Sequence, residues 1–125
     1  MSSAITELPE PITDDRGSIQ LLINHPIGSV TLIKSKKGSI RANHYHKEDD
    51  HYCYLVSGCI EYYHRPVGST EPLEVEIIKP GQQFYTPPMV EHTMKFLENS
   101  MFFAFAKRKR DPESYESDVV RAKLI

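Results

Sequence analysis

Histidine is the residue type whose spacing in this chain most suggests chemistry. Four of the six histidines fall in two short stretches, with His44, His46 and His51 in the first and His92 in the second. Residues two apart in a β-strand point to the same face, so His44 and His46 are expected to project together. Imidazole titrates near neutral pH and, when neutral, binds transition metals. The two stretches therefore predict one pocket that either moves protons or holds a metal.

A metal site is one interpretation of these histidines. Three or four imidazole nitrogens suit a divalent transition metal such as Zn, Fe, Ni, Mn or Co. The predicted ligands are His44, His46, His51 and His92, and Asp50 is an alternative to His51. The other interpretation is a metal-free pocket in which the rings act as acids and bases. A metal that took all four rings would leave no free base, so the two interpretations compete for the same residues.

Short strands must position these side chains. Nine prolines, seven tyrosines and short apolar or alternating runs between Gly, Pro and Asn turns favour an all-β domain. The predicted strands cover residues 18–23, 28–34, 39–42, 52–56, 59–63, 74–78, 83–86, 92–96 and 101–106. The evenly spaced turns between them predict a barrel or a sandwich. Residues 111–125 are expected to form a short tail or helix.

Length and charge limit the classes of function. The 125 residues fit one domain, residues 1–125, with its own core. A net charge of −2 provides no general attraction to nucleic acid or to anionic membranes. No apolar run approaches the roughly 20 residues that cross a bilayer, and the first residues do not resemble a secretion signal. We therefore expect a cytoplasmic protein that recognises a small molecule, and the edge strands of a small β-domain favour a homodimer.

The two histidine stretches together resemble the two motifs of the cupin superfamily. In the first stretch, Gly38 is followed after five residues by His44 and His46, and later by Gly58. His51 stands where most metal cupins carry a glutamate. In the second stretch, Gly81, Pro87 and His92 match, but Met89 replaces a glycine. The resemblance implies a double-stranded β-helix, the jelly-roll barrel of cupins.

Three further segments are similar to the WxcM-like and related cupin enzymes that isomerise or epimerise dTDP-linked keto sugars. These segments are Asp14-Asp15-Arg16-Gly17, Arg41-Ala42-Asn43-His44-Tyr45-His46-Lys47 and Asp111-Pro112-Glu113-Ser114-Tyr115. The resemblance implies abstraction of a proton next to a carbonyl and passage through an enediolate. On that motif, His44 and His46 are the expected proton-transfer residues. Ala42 stands where the family carries a glycine.

Two other residues are assigned roles by their chemistry. Arg41 is expected to bind a substrate phosphate, because its fork of donors matches a phosphate group. Tyr85 is expected to stabilise a developing oxyanion. The leading hypothesis is therefore a sugar-nucleotide isomerase or epimerase. The alternatives are a transition-metal-dependent oxygenase or hydrolase, and a cupin without catalytic activity that binds a metal or a small ligand.

Overall fold

The computed structural model describes residues 3–125, and these residues form twelve strands and one helix. In chain order the elements are β1 (Ile5–Thr6), β2 (Ile12–Asp14), β3 (Gly17–Ile19), β4 (Ser29–Ser35), β5 (Ile40–His46), β6 (His51–Ser57), β7 (Ile60–Pro66), β8 (Glu74–Ile78), β9 (Gln83–Thr86), β10 (Val90–Phe96), β11 (Ser100–Ala106), α1 (Pro112–Asp118) and β12 (Val119–Arg121).

The strands form two five-stranded antiparallel sheets. The first sheet has the order β1-β9-β6-β11-β4 and the second has the order β12-β5-β10-β7-β8. A separate hairpin joins β2 to β3. Alternate side chains of both sheets point to a shared interior, where the fully buried large hydrophobic residues are Leu55, Ile60, Tyr62, Ile78, Phe84, Phe96 and Phe102. The all-β prediction, with its jelly-roll sheets, is confirmed.

The predicted strand at residues 18–23 is wrong over most of its length. Strand β3 ends at Ile19, and residues 20–27 form no strand. The apolar run Ile19-Gln20-Leu21-Leu22-Ile23 has strand-like composition, but its backbone instead runs as a loop beside the first sheet. There Leu22 accepts a hydrogen bond from the Gln83 amide, and the His25 ring lies 5.6 Å from the Tyr52 ring. Tertiary contact overrides local propensity here.

The predicted strand at 39–42 was too short, because β5 continues through both of its histidines to His46. A β-bulge interrupts its pairing with β10: His44 lies opposite His92, whereas Ala42 already lies opposite Thr93. Asn43 is the extra residue. A bulge changes which side chains face inward. As a result Arg41 and His44, three residues apart, both line the same cavity between the sheets, with Arg41 at its exposed end.

The bulge and the second histidine motif both need left-handed backbone. Ala42, Asn43 and Met89 have φ values of 73°, 55° and 60°. Asparagine tolerates this region, whereas alanine and methionine do so at a cost. Ala42 and Met89 are the two positions at which the resembling motifs carry glycine. At both positions this chain therefore holds a residue other than glycine in strained, left-handed backbone.

Replacing Ala42 with glycine is expected to stabilise the fold by about 1 kcal/mol, because glycine adopts positive φ without a steric penalty. Met89→Gly should act in the same direction. Urea unfolding at neutral pH measures the change. Ala104→Gly is the matched control, since Ala104 lies in β11 without a positive φ and its replacement should destabilise the protein. A lower stability of both Ala42→Gly and Met89→Gly would contradict the expectation.

The C-terminal segment supplies the edge strand of the second sheet, next to β5. Asp111 caps α1 by accepting a hydrogen bond from the Ser114 N–H at 3.0 Å, and Pro112 opens the helix. Strand β12 then pairs with β5, with Val119 opposite His46. The prediction of a short C-terminal helix is confirmed. Within residues 3–125, no helix combines the length and apolar character needed to span a membrane.

Candidate active site

The four histidines of the two sequence stretches meet in one cavity. The cavity has a volume of about 160 Å³ and opens between the two sheets. Its lining includes His44 and His46 from β5, His51 from β6 and His92 from β10. The His44 ring lies 4.8 Å from both the His46 ring and the His92 ring, and the His46 ring lies 4.5 Å from the His51 ring. The structure therefore brings all four predicted histidines together.

Asp118 fixes the orientation of His46. Its Oδ2 lies 3.0 Å from His46 Nδ1, and both side chains are almost fully buried. A carboxylate only accepts hydrogen bonds, so Nδ1 carries the proton and Nε2 carries the free lone pair. Burial raises the pKa of Asp118, but hydrogen bonds from the Glu48 N–H and from His46 outweigh burial and lower it. The carboxylate therefore stays charged beside the ring.

His92 is held in the same tautomer by the backbone. Its Nδ1 donates to the Val90 carbonyl oxygen at 3.0 Å, which leaves Nε2 as the acceptor. Burial and the neighbouring His44 lower its pKa well below the usual value. Burial, together with His46 and His51, lowers the pKa of His44 to about 3. Burial also lowers the pKa of His46, and Asp118 offsets part of this effect. All three rings are neutral at neutral pH.

His51 and Asp49 form the polar wall next to His46. His51 Nε2 is buried without a close hydrogen-bond partner, and Asp49 Oδ2 lies 3.5 Å away. Nitrogen and oxygen atoms of His46, Asp49 and His51 lie within 4.8 Å of one another. Asp50, the alternative ligand suggested by the sequence, points elsewhere and accepts a hydrogen bond from the Tyr85 hydroxyl at 2.9 Å.

Two arginines line the cavity where it reaches solvent. Arg41, on β5, is exposed and is held by the Ser35 hydroxyl at 2.7 Å and the Lys34 carbonyl at 3.1 Å. Arg110, also exposed, stacks over the Tyr115 ring with its Cζ 4.3 Å from the ring centroid. Positive charge at the mouth and neutral rings inside suit a ligand with an anionic end and an uncharged end.

Tyr85 does not reach the histidines. Along β9, Phe84 and Thr86 point into the cavity, and Tyr85 between them points to the other face, where its ring lies 4.5 Å from that of Tyr52. It borders a different cavity, of about 220 Å³. The oxyanion role expected for Tyr85 therefore has no support from its position.

Sequence reasoning missed the charged residues that complete the site. Asp118 is 72 residues from His46 along the chain, and no motif links them. Arg110 belongs to the run Lys107-Arg108-Lys109-Arg110, whose plain interpretation is a solvated strand end. A signal was available at Tyr115, which lies in the tail segment similar to the keto-sugar enzymes. That segment places Tyr115 against the cavity, 6.1 Å from the His46 ring.

The side chains of the cavity fit a transition metal. Ligand atoms of His44, His46 and His92 all lie within 4.8 Å of one another. The free nitrogens of His46 and His92 are Nε2, and their Nδ1–H groups are held by a carboxylate and a carbonyl, as in many metal sites. His51 Nε2 belongs to a second, neighbouring group with His46 and Asp49, so the two groups share His46.

No protein-family model matches the chain, and the comparison with curated proteins finds no match. Solved structures do match. The sugar 3,4-ketoisomerase QdtA of Thermoanaerobacterium thermosaccharolyticum, in complex with TDP, is 22% identical with a TM-score of 0.77, and the match covers 97% of this chain and 89% of that one. Another structure of that enzyme contains TDP-4-keto-6-deoxyglucose.

Two other solved structures have a similar fold. The dTDP-4-dehydrorhamnose 3,5-epimerase of Sulfolobus tokodaii is 17% identical with a TM-score of 0.71, over 91% of this chain and 80% of that one. The capsular polysaccharide assembling protein CapF of Staphylococcus aureus is 24% identical with a TM-score of 0.70, and 94% of this chain matches 33% of CapF. These matches support the expected jelly-roll fold.

Proposed function

We propose that the chain is an isomerase or epimerase that acts on a keto sugar attached to a nucleoside diphosphate. The observation that carries the proposal is the buried pair of His46 and Asp118, which forms an oriented neutral base inside a cavity with arginines at its mouth. The ligands of the structural neighbours support it, since QdtA structures hold TDP and TDP-4-keto-6-deoxyglucose.

His46 is the proposed base. Its Nε2 lone pair accepts the proton from the carbon next to the substrate carbonyl, and the electrons of that C–H bond move to the carbonyl oxygen. Asp118 then stabilises the imidazolium through the Nδ1–H hydrogen bond. The proton returns to carbon at the end of the reaction. Return to the neighbouring carbon gives an isomer, and return to the other face of the same carbon gives an epimer.

His44 is the second proposed proton-transfer residue. Its ring lies 4.8 Å from the rings of His46 and His92, within reach of the same small substrate. A neutral imidazole carries one N–H donor and one acceptor, so His44 can carry a proton between the two substrate oxygens of an enediol. The low pKa of His44, about 3, keeps it in the neutral form that this exchange requires.

Arg110 and Arg41 are the proposed phosphate ligands. Replacing Arg110 with alanine is expected to weaken TDP binding about tenfold or more, because a charge-assisted hydrogen bond to phosphate contributes about 1.5–3 kcal/mol. Titration calorimetry measures the affinity. Lys79→Ala removes an exposed cation away from the cavity and is the matched control. Equal affinities of the Arg110 and Lys79 variants would contradict the assignment.

Turnover of a keto-sugar nucleotide tests the proposed function. Purified protein should convert TDP-4-keto-6-deoxyglucose, or its C3 or C5 epimers, into a product that NMR assigns as an isomer or epimer. The His46→Gln protein serves as the blank. If the wild-type protein leaves every such substrate unchanged, the proposal is wrong.

A metal-dependent oxygenase or hydrolase is the second candidate, and the unpartnered His51 nitrogen favours it. His44, His46, His51 and His92 would hold the metal, which would supply Lewis acidity or a bound water. Elemental analysis of protein purified without chelators tests this candidate. It predicts about one metal per chain, lost in His51→Ala, whereas the isomerase proposal predicts turnover that EDTA leaves intact.

The homodimer predicted from the sequence remains part of the proposal. On the outer face of the first sheet, about half of the surface of Val30 and of Leu32 is exposed. Their neighbours on β11 are Phe105 and Phe103. Contiguous apolar surface of this kind is normally covered, and a second copy of the chain would cover it. Sedimentation would distinguish a dimer from a monomer. The cytoplasmic location remains a prediction.

A further inference from the structure

A pair of hydroxyl groups lies in the wall of the histidine cavity. The Tyr62 phenol and the Thr86 hydroxyl form a short hydrogen bond between β7 and β9, and both residues line the cavity. Tyr62 is buried, and its ring centroid lies 6.3 Å from that of His92. Thr86 lies opposite His51 in the pairing of β9 with β6. The pair is therefore adjacent to two of the four histidines.

The hydrogen bonding of this pair leaves one proton unused. Two hydroxyls contain two O–H donors, and the bond between them uses one donor whichever oxygen accepts. Within residues 3–125, neither oxygen has another hydrogen-bond partner. One O–H group is thus available inside a cavity in which the Nδ1 groups of His46 and His92 are already bonded to Asp118 and Val90. Buried donors without acceptors are costly unless a ligand supplies the acceptor.

We infer that the Tyr62 and Thr86 hydroxyl pair donates the hydrogen bond that stabilises the substrate oxyanion. The inference rests on the proposed function and gives this pair the role that sequence reasoning assigned to Tyr85. When His46 takes the proton from carbon, the electron pair reaches the carbonyl oxygen, and the free O–H of the pair bonds to that oxygen. The hydroxyl pair keeps its own protons throughout the step.

The surroundings of the pair suit an oxyanion donor. Burial is the main cause that raises the pKa of Tyr62 above its usual value, so the phenol remains protonated near neutral pH. Phe84, whose ring lies 4.6 Å from Tyr62, keeps that side of the phenol apolar. A hydrogen bond to a developing charge is stronger in such an environment than in water, and removal of one such donor typically costs about 10²–10³ in kcat.

The experiment compares Tyr62→Phe, Thr86→Val and the double variant with the wild-type protein. The readouts are kcat, KM and TDP affinity on the keto-sugar nucleotide that the wild-type protein turns over. Each single variant keeps one hydroxyl, so we expect a kcat loss of about tenfold in each and about 10²–10³ in the double variant. KM and TDP affinity should change less than about threefold, because the hydrogen bond forms mainly in the transition state.

Two controls separate this role from a structural one. Thr86→Ser keeps the hydroxyl and should restore kcat to within about threefold of wild type, and Tyr85→Phe should leave kcat unchanged. Melting temperatures show that each variant is folded. If the double variant, or Thr86→Val where the double variant does not fold, keeps the wild-type kcat, the inference is overturned while the proposed function stands. A wild-type protein that processes no keto sugar overturns both.

Discussion

The His46→Gln variant is expected to lose about 10³-fold in kcat on a keto-sugar nucleotide. Glutamine has nearly the size of histidine, but its amide cannot accept a proton, so the variant removes the base and keeps the volume. General-base catalysis contributes about 10²–10⁴ in rate, and the expected loss of about 10³ lies in the middle of that range. TDP affinity should stay within about threefold, because the proposed phosphate ligands are Arg41 and Arg110 and not His46.

His25→Gln is the matched control, since His25 lies on an exposed loop outside the cavity. Variants of the cavity histidines also separate the two candidate functions. If the protein is a metal enzyme, the His44, His46 and His92 variants should lose metal and activity together. If His46 is a base, its variant should lose activity with no change in metal content. A His46→Gln protein with wild-type turnover would contradict the assigned base.

The second large effect is a loss of stability at mildly acidic pH. His44, His46 and His92 have pKa values lowered by burial, so below pH 6.5 the unfolded chain binds more protons than the folded one. The stability that these neutral rings contribute is therefore fully present above pH 6.5. It falls as the pH drops toward the pKa values of the folded protein, about 3 for His44. Each ring that stays neutral in the folded protein lowers the free energy of unfolding by about 1.4 kcal/mol for each pH unit below 6.5.

His44 and His92, whose pKa values are lowered most, would together cost about 3 kcal/mol per pH unit, a large share of the usual total of about 5–15 kcal/mol. Asp118 and Asp49, whose pKa values are lowered, act in the same direction at still lower pH. Urea unfolding of protein in EDTA at pH 7, 6 and 5 measures the slope. His25→Gln should keep the wild-type slope. An unfolding midpoint that is constant between pH 7 and pH 5 would contradict the neutral buried rings.

The histidine motifs were enough to predict the fold and the four rings of the cavity. Glycine and proline turns set the ends of the strands, and the spacing of His44 and His46 placed both on one face. The match to two separated motifs then implied that His92 lies nearby. These features depend on short-range spacing, which a single sequence displays directly.

The partners of these histidines could not be predicted in the same way. Asp118 reaches His46 only because β12 pairs with β5, and that pairing depends on the whole barrel. Arg41 would have faced away from His44 on a regular strand, and the bulge at Asn43 places it at the mouth of the same cavity. The oxyanion role of Tyr85 was assigned from its chemistry alone. The alternation along β9 places its neighbours Phe84 and Thr86 in the cavity instead.

Solvent deuterium exchange tests the central claim most directly, because it detects proton abstraction even where the equilibrium disfavours product. The protein is incubated with TDP-4-keto-6-deoxyglucose in deuterated water, and NMR follows the carbons next to the carbonyl. We predict deuterium at one of these carbons with the wild-type protein and about 10³-fold slower incorporation with His46→Gln. Equal incorporation by both proteins, or none by a wild-type protein that binds TDP, would contradict the account.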